Sequence, residues 1–167
     1  MSDPQNALLA IKNQWLHQQI EVEFPTKESL EGRALYLEKA DNTPLEMWHS
    51  RGQEIMESDA LFLVDFHRLT IMFAQLQAQR WHDADQQSLV VEFLTQIIYS
   101  PPCELYLAFE NGQPTAAAIV TRQDAQTLIS DIVALKATQR DEFISGLVNK
   151  LQLLDGGGDI FVEQMTS

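Results

Sequence analysis

The stretch VALKATQRDEFISGLVNKL, residues 133–151, holds the end of an apolar strand, a polar turn and an amphipathic helix, in that order. Two readings of its turn compete. In the first, Thr138 caps the helix, Asp141 three residues on completes a capping box, and acids in the first turn are favoured by the helix dipole. Phe143, Leu147 and Leu151 then step at four residues and form the buried stripe. In the second reading, the same junction presents backbone N–H groups to an anion.

The flanking sequence supplies the rest of a sheet. Downstream, Gly156-Gly157-Gly158 breaks the helix, more as a C-cap and tight return than as a phosphate cradle, and DIFVEQ (159–164) reads as a strand. Upstream, ELYLAFE (104–110) and PTAAAIVTR (114–122) are strands joined by Asn111-Gly112, two residues that tolerate positive φ and mark a hairpin. The alanines of the second strand imply close packing on it. TLISDIVAL (127–135) is a third strand, which gives a β-β-β-α-β order over residues 101–167.

Residues 1–100 read as helical. Leu8, Leu9, Ile11, Trp15 and Leu16 predict a first helix, and Thr26 caps a second through Leu30, Ala34 and Leu37. Thr43-Pro44-Leu45-Glu46 has the form of another helix start, with a hydroxyl cap and proline at the first helical position. Ser58-Asp59 predicts a helix carrying Phe62, Phe66, Leu69, Phe73 and Leu76, and the polar HDADQQ precedes one ending at Ser100-Pro101-Pro102. The chain is therefore expected to be one α+β domain, with a helical part over 1–100 and a mixed, mostly antiparallel sheet built in 101–167.

That order resembles the central part of the GNAT superfamily of N-acetyltransferases over residues 103–164, with the helices near 59–80 and 86–99 as weaker additions. In that family a three-stranded meander leads into a loop and helix that hold acetyl-CoA, through a motif of the form V-x-P-x-Y-R-x-x-G-x-G/A. Carried over by position, the resemblance implies Leu135, Ala137, Arg140, Phe143 and Ser145 as cofactor-binding residues and Asp131, near the fourth family strand, as the general base. Arg140 matches the family arginine. Phe143 and Ser145 stand where the motif has small residues, and Asp141 and Glu142 add negative charge where a pyrophosphate would lie. The resemblance implies an acyl-CoA-dependent N-acyltransferase, or a catalytically silent relative that binds a protein or small ligand. It also implies that the family's last helix and two strands are lacking, so part of the acceptor wall is missing, comes from the N-terminal helices, or comes from a partner chain, as in a homodimer that completes the sheet.

Other chemistries find little support. The formal charge of −13 disfavours nucleic acid and anionic membrane surfaces. No apolar run approaches the roughly 18 residues of a membrane span, and Asp3 sits where a secretory leader would be basic, so a cytoplasmic protein is expected. His17, His49, His67 and His82 show no metal-ligand spacing, and no metal is expected. Cys103, the single cysteine, reads as an apolar filler beside a strand.

Overall fold

The computed structural model of the chain describes residues 4–52 and 54–164. Its elements run α1 (Pro4–His17), α2 (Lys27–Asp41), β1 (Leu45–Met47), β2 (Leu61–Leu63), α3 (His67–Ala78), α4 (Ala84–Leu94), β3 (Cys103–Glu110), β4 (Gln113–Gln123), β5 (Gln126–Ala134), α5 (Ala137–Lys150) and β6 (Ile160–Glu163). The six strands form one sheet in the order β1-β6-β5-β4-β3-β2, antiparallel except where β6 runs parallel to β5. The α+β class and the β-β-β-α-β order of the second half hold. Asn111 and Gly112 both take positive φ, 53° and 78°, as a type I′ hairpin requires.

Strand periodicity sorts the core into two layers. Leu105, Leu107, Ala117 and Ile119 face α1–α4, whereas Tyr106, Ala108, Ala116, Ala118 and Val120 face α5. Side chains of a strand alternate between faces, so one helical layer and one lone helix are enough to bury both. Ala116, Ala117 and Ala118 are fully buried, which is the close packing that their small size anticipates.

Two helix starts expected from the sequence are strands instead. Leu45, Glu46 and Met47 pair with Glu163, Val162 and Phe161 of β6, and Thr43 spends its hydroxyl donating to the Lys39 carbonyl at the end of α2 rather than capping a new helix. Leu61, Phe62 and Leu63 pair with Ala108, Leu107 and Tyr106 of β3, so α3 begins only at His67 and Phe62 and Phe66 stay exposed. In both places unpaired edges of the sheet take up three-residue segments whose local signals favour helix; pairing over long range overrides propensity. The strand beside β6 thus comes from the same chain. The start of the segment read for a leader, residues 1–3, lies outside the described residues.

Helices α2 and α4 approach closely at Gly32. A Cβ built there would lie 1.9 Å from the Leu89 carbonyl oxygen, which is backbone and cannot turn aside. Gly32→Ala should therefore lower stability by about 1–3 kcal/mol through overpacking, although alanine is the better helix former by about 1 kcal/mol. Urea unfolding would measure it, and a stabilised variant would contradict this packing.

Candidate functional site

The parallel β5–β6 ladder is short. It pairs Thr127 with Ile160, Leu128 with Phe161 and Ile129 with Val162, and then β5 runs on through Ser130 to Ala134 without β6 beside it. The register between β4 and β5 also shifts here, between Ala117 and Ile119, and Asp131 takes a positive φ of 54°. Aspartate is among the few residues that visit the left-handed region readily, so it suits a bulge.

The bulge delivers the Asp131 carboxylate into the helical layer. Lys12 Nζ of α1 lies 2.7 Å from Oδ1, Ser130 Oγ donates to the same oxygen at 2.6 Å, and the Tyr36 hydroxyl of α2 donates to Oδ2. Arg80 Nη2, just past α3, stands 4.0 Å from Oδ2, and Gln77 Nε2 donates to the Asp131 carbonyl at 2.5 Å. Lys12 and Asp131 are both buried, at 0% and 1% exposure. Burial alone would raise the Asp131 pKa, but the ammonium of Lys12, the guanidinium of Arg80 and the hydrogen bonds from Lys12 and Ser130 outweigh it and hold it at about 2. Burial and the Asp131 charge push the Tyr36 hydroxyl well above its ordinary value.

Glu163 at the end of β6 is the second carboxyl of this cluster. Its Oε1 accepts from the Ile132 N–H at 2.9 Å, bridging the gap left where the two strands part. Burial first, and then the charge of Asp131, raise its pKa above the usual carboxylate value against the pull of Lys12, Arg80 and the Ile132 N–H. The two carboxyls therefore differ in kind. Asp131 is an anion well below neutral pH with its oxygens engaged; the Glu163 carboxyl holds a proton more readily than an ordinary carboxylate.

Glu163 also opens onto a cavity of about 710 Å³, lined among others by Lys39, Arg80, Trp81, Ala134, Ala137 and Arg140. The cavity lies between α2, the end of β5 and the start of α5. Leu35, Glu38 and Lys39 of α2 form part of its wall.

The start of α5 departs from the capping-box reading of the turn. Lys136, not Thr138, is the N-cap residue, and its side chain makes no capping bond. No acid lies in the first turn: Asp141 and Glu142 come one turn later, with Asp141 exposed and 3.8 Å from Arg140 Nη1. Phe143 is fully buried with Ile144 and Leu147 against β4, so its ring does not obstruct the helix end. The capping box fails because the helix begins one residue before Thr138, within a strand-to-helix connection of only two residues.

Of the residues expected from the sequence, Ala137 and Arg140 reach the cavity. Arg140 also donates to the Glu163 backbone carbonyl, tying α5 to the end of β6. Leu135 is half exposed beyond the strand end, and its N–H turns back to the Thr115 carbonyl. Phe143 belongs to the core, and Ser145, also buried, borders a separate smaller cavity on the far side of α5. Asp131 is placed next to the site, as the anchor of its charges.

Lys12, Tyr36, Arg80 and Glu163 were not singled out in the sequence. Lys12 had a legible signal: Leu8, Lys12, Trp15 and Leu16 follow the buried spacing of α1, and the lysine stands inside that stripe. Glu163 shares the alternation of Phe161, which packs with Leu8 of α1, and so lies on the face of the sheet that α1 covers.

No protein-family model matches the chain, and no curated protein sequence matches it either. Among solved structures it is similar to a putative acetyltransferase from the GNAT family of Novosphingobium aromaticivorans DSM 12444, with 11% identity, a TM-score of 0.43, and coverage of 75% of this chain and 53% of that one. It is also similar to a GCN5-related N-acetyltransferase from Kribbella flavida, with 14% identity, a TM-score of 0.41, and coverage of 80% and 54%. The chain spans about half the length of each. No helix among the described residues is long and apolar enough to cross a membrane.

Proposed function

We propose that the protein is an acyl-CoA-dependent N-acyltransferase in which Glu163 accepts the proton of the acceptor amine. The observation that carries this reading is the parting of β5 from β6 beside the cavity. The Leu135 N–H turns toward β4, and the Ile132 N–H turns the other way to Glu163. By alternation the remaining backbone groups of Ile132 and Ala134 face the cavity, where an extended, amide-bearing chain can pair with them.

The residues present fit such a ligand. The first turn of α5 offers backbone N–H groups and no acid, with Lys136 and Arg140 flanking it, which is what a pyrophosphate requires. When bound, an acyl-CoA supplies a thioester whose carbonyl an amine converts to an amide with release of the CoA thiol. Glu163, with its raised proton affinity, is better suited than an ordinary carboxylate to take a proton from an ammonium, and the bond from Ile132 orients it. Asp131 and Lys12 fix the floor beneath it and exchange no proton.

Thermal unfolding with acetyl-CoA and with CoA tests the binding half of this proposal. A hundredfold excess over Kd should add about 2.7 kcal/mol, a rise of roughly 5–11 °C for a chain of this size. No rise at millimolar ligand would refute coenzyme use and leave a cavity that binds something else.

A further inference from the structure

Three of the chain's eleven Lys and Arg residues, Lys39, Arg80 and Arg140, line this cavity in a protein whose net charge is −13. Two of these stand on a single indole. Lys39 Nζ lies 4.9 Å and the Arg80 guanidinium carbon 5.2 Å from the Trp81 ring centre, and Arg80 is also 5.1 Å from the Tyr36 ring. Like charges so placed repel one another, and the aromatic rings hold them there.

The neighbouring acids do not neutralise the pair. Arg80 shares Asp131 at 4.0 Å with Lys12, which is the closer partner at 2.7 Å. Arg80 Nε is buried with no hydrogen-bond partner among the described residues, and no described carboxylate lies within 4.0 Å of Lys39 Nζ. Glu38 lies exposed at the rim, and Glu163 is the carboxyl with raised proton affinity. Arg140 is the third cation, engaged with the Glu163 carbonyl and with Asp141.

We infer that Lys39 and Arg80 receive the carboxylate of an amino-acid-like ligand, whose amine then points toward Glu163. This rests on the transferase reading, since it names the acceptor class for the same cavity. A planar carboxylate matches the guanidinium fork of Arg80, while Lys39 adds a second charge from α2. A zwitterion also satisfies both ends of the site: cations on the α2 and α3 side, a carboxyl on the β6 side.

The test is thermal unfolding of the full chain titrated with the common L-amino acids and, in parallel, with the corresponding L-amino acid amides, which keep the amine and lose the carboxylate. At least one amino acid should bind about tenfold or more tightly than its amide, the scale of one charge-assisted contact. Lys39→Gln, a change on the partly exposed face of α2, should weaken that preference by about tenfold. Equal binding of acid and amide, no response to any amino acid, or a preference undiminished in Lys39→Gln would each overturn the inference. Selective amino-acid binding without an acetyl-CoA response would uphold the carboxylate site and refute the transferase reading alone.

Discussion

Lys12→Met is expected to cost about 3–5 kcal/mol, because it leaves the Asp131 carboxylate buried with its nearest counter-charge gone. For a chain of this length that is a fall in Tm of roughly 6–20 °C. The change keeps the volume and apolar stem of the side chain, so cavity formation contributes little. Arg80 at 4.0 Å and the Tyr36 hydroxyl remain as partners and set the cost toward the lower end. The double variant Lys12→Met, Asp131→Asn removes both charges and keeps a residue that accepts the left-handed backbone of position 131. It should recover much of the loss, and the difference measures the coupling of the pair. A single variant within about 1 kcal/mol of the parent would mean that the pair does not hold α1 on the sheet.

The pH dependence of stability carries the same signature. Asp131 has a folded pKa of about 2, below its unfolded value of about 3.9. Its contribution is present above pH about 4 and is lost as the pH falls toward 2. Glu163 is raised, so its contribution has the opposite sign: present below its unfolded pKa of about 4.3 and lost as the pH rises through the folded value. Asp131→Asn should flatten the acid limb of the stability profile, and Glu163→Gln should not.

Glu163→Gln is expected to lower kcat by about 10² to 10⁴-fold, measured as release of the CoA thiol with the best amine acceptor. Glutamine keeps the shape of the side chain and an oxygen for the Ile132 N–H, so the strands stay joined. The acetyl-CoA response in thermal unfolding should survive, which separates lost proton transfer from lost binding. In the parent protein the rate should rise with pH through the Glu163 ionisation, at a pH above the usual carboxylate range, because only the ionised form accepts a proton. The glutamine variant should lack that limb. An undiminished rate would move the proton acceptor elsewhere.

Both variants probe residues that the sequence did not announce. Phe143 illustrates why: by position it matches a small residue of the motif that the sequence resembles, yet its ring is buried among Ile144 and Leu147. Position along the sequence locates a side chain within an element but not the direction it takes once α5 begins at Ala137 rather than after Thr138. Asp131 was legible as a polar residue in an apolar strand. Its role was not, because that depends on Lys12 and Tyr36, which are 119 and 95 residues away in the chain.

Local chemistry alone determined the hairpin at Asn111-Gly112, the three successive strands, the helix after them and the returning strand, since turn residues and alternation are short-range signals. It also determined α1 and the Thr26 cap of α2, whose hydroxyl accepts from the Ser29 N–H at 3.1 Å. Tertiary structure alone decided that Leu45–Met47 and Leu61–Leu63 become edge strands, because only the open sheet edges give those backbones partners. It decided the site as well. Residues of α2, the segment just past α3, the end of β5, the start of α5 and the last position of β6 meet at one cavity, and a carboxyl has its proton affinity set by the burial and the charges that folding gathers around it.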